Sequence, residues 1–139
     1  MKVFYLILFS SLSFTFSYSQ NKPCSFTNNL NLQALQPDKE FDNILNIPYC
    51  SDSLSSSFVI WVKKEVKSHR HAKHTENIYV IEGTATMKLG KEIFDIKAGD
   101  YVFIPKNTLH SVKTTSQKPL KVLSIQSPNF DGTDRILEE

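Results

Sequence analysis

Three of the chain's four histidines, His69, His71 and His74, fall within six residues, and a carboxylate follows at Glu76. Residues two apart on a β-strand point to the same face, so His69 and His71 would present two imidazoles side by side. Glu76 leads into the alternating run Ile78-Tyr79-Val80-Ile81, and the fourth histidine, His110, precedes another strand-like run. Imidazoles with one carboxylate suit a divalent transition metal such as Fe, Mn, Ni, Cu or Zn. The spacing points to a metal centre of His69, His71, Glu76 and His110 inside a β-barrel. Four protein ligands on an octahedral ion leave two positions for water, oxygen or a chelating substrate. His74 is placed at the barrel mouth or on the surface rather than on the metal.

Strands must position these side chains, and the sequence supplies them. From Phe58 to Gln126 short β-like runs alternate with turn signals. These runs are Phe58–Val62, Ile78–Ile81, Thr84–Leu89, Glu92–Ile96, Tyr101–Ile104, Leu109–Thr115 and Leu120–Gln126. Gly90-Lys91 is a hairpin signal, Lys97-Ala98-Gly99-Asp100 a turn, and Pro105 a stop. Such spacing argues for an all-β sandwich or barrel. Gly83, Gly90 and Gly99 are read as turn glycines, and Lys63–Lys67 as a charged link. Trp61, Tyr79, Tyr101 and Phe103 are assigned to the core. Asp95, Asp100 and Glu82 lie in or near turns and are read as exposed.

The flanks differ from this core. Met1–Ser19 has one charge, Lys2, then an apolar run from Val3 to Phe9, and small residues at Ser17-Tyr18-Ser19. This is the pattern of a signal peptide cleaved before Gln20. A membrane-spanning helix needs about 20 mostly apolar residues, and this run is short and interrupted by serines. A lipoprotein signal is disfavoured because Pro23 precedes Cys24. Residues 20–57 form a polar arm packing on the domain. Within it, Asp38-Lys39-Glu40-Phe41 resembles a helix start, and Phe41, Ile44 and Leu45 have helical spacing. The tail, residues 127–139, is assigned to the surface. In an exported chain the two cysteines, Cys24 and Cys50, are either bridged or two free thiols on the arm. The charge balance, 16 basic against 14 acidic residues, gives +2 and no electrostatic footprint for nucleic acid.

The motifs resemble those of the cupin superfamily. His69-x-His71 is followed after four residues by Glu76 and after six more by Gly83, which is similar to the first cupin motif. Gly99-x5-Pro105-x-Asn107-x2-His110-x3-Thr114 is similar to the second, with Asn107 where the family usually has Gly and Thr114 where it has Asn. Asn tolerates the left-handed backbone, and Thr114 does not occupy a ligand position. The resemblance, to a small single-domain bacterial cupin, covers Phe58 to Gln126. It implies a double-stranded β-helix (jelly-roll) barrel with metal on His69, His71, Glu76 and His110.

Fold does not give function. One expectation is an exported metal-dependent oxygenase acting on a small molecule. Against it stand a non-catalytic module for a metal or small ligand and a metal-dependent isomerase or lyase. Structural zinc is a further option, though such sites are usually closed and cysteine-rich. No catalytic acid or base is assigned. The expected partner is a small molecule, with no nucleic acid and no stable membrane insertion after signal cleavage. A homodimer could form through the Phe58–Val62 strand and the arm. The expected location is periplasmic or secreted.

Overall fold

A computed structural model describes residues 29–138. Met1–Ser19 and Cys24 therefore lie outside the described residues, and the signal-peptide expectation with them. Among the described residues there is no helix, and none long and apolar enough to cross a membrane. Ten strands form two five-stranded sheets. The strands are β1 (Ile44–Ser51), β2 (Ser56–Val62), β3 (Glu65–Arg70), β4 (Thr75–Glu82), β5 (Thr84–Leu89), β6 (Glu92–Lys97), β7 (Tyr101–Ile104), β8 (His110–Thr114), β9 (Leu120–Ser127) and β10 (Ile136–Leu137). One sheet has the order β1-β2-β9-β4-β7 and the other β10-β3-β8-β5-β6. Every pairing is antiparallel. The crossing connections wind the chain into a double-stranded β-helix.

The barrel interior is filled by alternate residues of both sheets, among them Val62, Ile78, Val80, Met87, Ile104 and Val122. Period-two alternation places Val80 fully inside while its neighbour Tyr79 faces out. Gly83 links β4 to β5 with φ +86°. A Cβ there would lie 2.9 Å from both Leu120 Cα and Pro119 O, so this turn requires glycine in conformation and in space.

The expected helix start around Asp38–Leu45 is not there. Residues from Ile44 onward pair with β2 as an edge strand, Ile44 opposite Val62 and Leu45 opposite Trp61. The pairing satisfies backbone groups and buries Leu45, which outweighs a short helical spacing in a Pro-flanked segment. Leu32, Leu35 and Phe41 then pack on Leu45, Val59 and Trp61 outside the barrel. Lys121 is caught beneath this arm at 1% exposure. Its Nζ donates to the carbonyls of Leu35 (2.7 Å) and Gln33 (3.3 Å), and lies 5.6 Å from the Trp61 ring centre. Cys50, on β1, is disulfide-bonded.

Three further expectations are corrected. The Lys63–Lys67 link is largely strand, since β3 begins at Glu65. Tyr79, Tyr101 and Phe103 are 45%, 61% and 52% exposed, so only Trp61 of the four aromatics is core. They lie on the outer face of β4 and β7, at the far edge of the sheet from the arm. The Phe58–Val62 strand cannot offer a free edge to a second copy, because β1 and β9 already pair with it on both sides.

Candidate metal centre

The centre forms where the two sheets face each other. His69 and His110 are directly opposed on β3 and β8. Glu76 comes from the other sheet, on β4, opposite Gln126 of β9. His71 lies just past the end of β3.

A bulge in β3 makes this possible. Val66 faces Val112, and three residues on His69 faces His110, only two residues away on β8. One extra residue reverses the inward parity of the strand. Val66 and His69 therefore both line the interior, where strict alternation would have turned His69 out. The turn before β8 is tied in by Asn107, whose φ is 61° and whose N–H donates to the His71 carbonyl at 2.5 Å. The left-handed backbone that the second motif requires is thus met by asparagine.

His69, His71 and His110 are each buried, and one ring nitrogen of each lies within 4.8 Å of the others. Each ring is oriented from behind. Nδ1–H donates to Lys67 O in His69 (2.8 Å), to Thr108 O in His110 (2.9 Å) and to Asp134 O in His71. A carbonyl only accepts, so these bonds put the proton on Nδ1 and leave Nε2 as a lone pair facing inward. Glu76 Oε2 stands 3.4 Å from His71 Nε2 and 3.3 Å from His110 Nε2. Its Oε1 accepts from Ser124 Oγ at 2.5 Å.

The two Nε2 atoms are buried and have no hydrogen-bond partner in this arrangement. Lone pairs pointing at a carboxylate oxygen repel unless a cation stands between them. A proton on one imidazole would serve, and a divalent metal would serve all the donors at once. The donor set therefore fits a metal ion, held by the three histidines with Glu76 as the anionic partner.

The electrostatics carry the same signature. Burial and the neighbouring His110 push His69 down to about 4. Burial pulls His71 down too, but the nearby Glu76 carboxylate, the Asp134 carbonyl and the Asp134 charge favour its protonated form and raise it. Burial would raise Glu76, yet His110, His71 and Ser124 hold it far below the usual carboxylate range.

The tail does not simply lie on the surface. Asp134 is buried, and its carboxylate accepts from the N–H of Ala72 (2.9 Å), of Lys73 (2.7 Å) and from His74 Nδ1 (2.5 Å). Phe130 packs edge-on against the rings of His71 and His74, at centroid separations of 5.5 and 5.2 Å. Beyond it, β10 pairs with β3, Leu137 opposite His69. His74 is buried, not at a wet mouth. Its Nε2 meets the Asn129 carbonyl at 3.1 Å while Nδ1 meets Asp134. Both partners only accept, so the ring makes both bonds only as the imidazolium cation. His74 thus anchors the tail and is not grouped with the other three histidines.

The centre opens into a cavity of about 150 Å³ walled mainly by Ile60, Val62, Ile78, Ile104, Leu120 and Val122. Beyond the centre itself, polar lining comes from Asn46, Ser111, Gln126 and Arg135.

A double-stranded β-helix with histidines from two strands and a glutamate from the facing sheet defines a cupin-type barrel. The Cupin domain family model matches residues 57–126, and the chain belongs to that family. An uncharacterized protein of Aquifex aeolicus (strain VF5) is 34% identical over 84 residues, 60% of this chain and 69% of its own. Quercetin 2,3-dioxygenase of Bacillus subtilis (strain 168) is 35% identical over 51 residues, 37% of this chain but only 15% of that enzyme. A Klebsiella pneumoniae protein described as having a double-stranded beta-helix domain has a TM-score of 0.68 at 19% identity. That match covers 81% of this chain and 98% of the other, and it shows the fold.

Proposed function

We propose that the protein is an exported metal-dependent oxygenase acting on a small molecule, with the metal on His69, His71, Glu76 and His110. The observation that carries this reading is the pair of buried, unpartnered Nε2 atoms facing Glu76 at the end of an aliphatic cavity. When bound, the metal supplies open coordination positions at which oxygen and a substrate oxygen are activated. The chain aims the three imidazoles inward through the hydrogen bonds behind them, and aliphatic side chains wall the cavity beside them. The likeness to the Bacillus dioxygenase supports the choice of chemistry over a short stretch.

A second reading, a non-catalytic module for a metal or small ligand, has one observation in its favour. Apart from Glu76 the cavity lining holds no carboxylic acid. The same observation weighs against an isomerase or lyase, which needs a positioned acid or base. Metal analysis of protein purified without added metal, followed by oxygen consumption over phenols, diketones and thiols, separates the readings. The oxygenase reading expects about one metal per chain and turnover with at least one class. Metal without turnover leaves the binding module, and a metal-free, inactive protein defeats both. Export is proposed on the Met1–Ser19 pattern, and N-terminal sequencing of the exported protein should begin near Gln20.

A further inference from the structure

Gln126 is 6% exposed, lines the cavity, and its Oε1 is buried with no hydrogen-bond partner. It sits on β9 directly opposite Glu76 and two residues from Ser124, on the same inward face. Ser124 spends its hydroxyl on Glu76. The Gln126 amide is thus left unmatched beside the metal ligands. A buried polar group without a partner is costly, so one that persists in a cavity marks where a ligand completes the bond.

Arg135 also lines the cavity, from an exposed position at its rim. The tail carries it there, one residue past the anchored Asp134. Among the described residues it makes no ion pair. Guanidinium matches a carboxylate through two parallel hydrogen bonds.

Size limits the rest of the ligand. A cavity of about 150 Å³ holds a body about as large as one benzene ring, well below the roughly 300–1,000 Å³ of drug-sized pockets. We infer that the cavity takes a small hydroxy-carboxylate, its hydroxyl on the Gln126 amide, its anion toward Arg135 and its short hydrocarbon body against Ile78, Ile104 and Val122. This names the ligand class for the site proposed above, and both residues act as specificity determinants.

The test uses three matched probes on the full chain, 2-hydroxyhexanoate, hexanoate and 1,2-hexanediol, titrated by calorimetry. Each is measured with zinc loaded and again with chelator present. The hydroxy acid should bind roughly ten-fold more tightly than either probe lacking one group, as a site built to pair a hydroxyl discriminates against its absence. Gln126→Met should abolish the preference over hexanoate and keep the preference over the diol. Arg135→Gln, on an exposed residue, should do the reverse, so the inference stays testable if the buried variant fails to fold. Equal affinities for the three probes, no binding of any, or preferences unchanged in both variants would overturn it. The metal reading is scored separately. A protein that takes up no zinc yet ranks the probes as stated keeps this inference and loses that one, and a zinc-loaded protein with no ranking does the opposite.

Discussion

Replacing Asp134 by Asn tests whether the tail is part of the centre. The Asp134 carboxylate accepts three donors, and its backbone carbonyl orients His71. An amide keeps one oxygen and turns an NH2 toward a backbone N–H, so at least one donor is lost and one donor pair collides. Burial would raise the Asp134 carboxyl, but His74, Lys73 and Ala72 lower it from 3.8 to about 2. A shift of that size corresponds to roughly 2 kcal/mol of folding stability. The sign follows from the depressed value. The contribution is present in full above about 3.8 and is lost as the pH falls through about 2. Adding the mispaired amide, Asp134→Asn should lower stability in urea by about 2–4 kcal/mol near neutral pH. The gap to the native protein should shrink as the pH is taken down toward 2.5, because the carboxyl of the unfolded chain, at its ordinary 3.8, protonates there and the native carboxylate's advantage declines. The support behind His71 is the Asp134 backbone carbonyl, which the substitution keeps, so metal affinity should fall by less than the roughly ten-fold expected for outright loss of such a support. A gap below about 0.5 kcal/mol at neutral pH, or one that stays constant across that range, would refute this account of the tail.

The remaining expectations concern the ligands and one turn. His110→Ala should bring the metal-to-protein ratio close to zero by elemental analysis, whereas His74→Ala should keep the stoichiometry and loosen the affinity. Metal affinity should already fall as the pH drops toward 6.5, because a proton on His71, whose value is raised above 6.5, must leave before its Nε2 can bind. His69, held near 4, stays neutral through that range, so a competition titration should show fewer than three protons released. Gly83→Ala should destabilise the fold by about 1–3 kcal/mol in urea melts, since its Cβ would meet the Leu120 and Pro119 backbone at 2.9 Å in a left-handed turn.

The residues gathered at the centre were legible because their spacing survives in sequence. His69 and His71 are two apart, and β5 and β7 ran as read, Thr84–Leu89 and Tyr101–Ile104. The bulge that turns His69 inward was not legible, since its signal is a mismatch between β3 and β8, two segments some forty residues apart. Asp134 was missed for the same reason, lying 60 residues from His74 in sequence. An isolated acid in a polar tail looks like any solvated acid until its partners are folded beneath it. Tyr79, Tyr101 and Phe103 were misassigned because alternation reveals two faces but not which one is covered. Nothing in the arm announced β1, whose partner strand supplies the order that its own composition lacks.

The ammonium of Lys121 bears on how the arm opens. Its two carbonyl acceptors and its aromatic cover all belong to the arm or to the strand the arm rests on. Burial lowers its proton affinity, yet no acylating reagent can reach an amine at 1% exposure. It would react only in molecules whose arm has lifted, while neighbouring Lys118, exposed on the surface, needs no such opening to react. The ratio of the two labelling rates therefore measures the opening equilibrium of that segment. Each acylation event is also self-locking. An amide in place of the ammonium cannot refill the cationic seat, so labelled chains would accumulate with the arm undocked, like a ratchet that records every excursion.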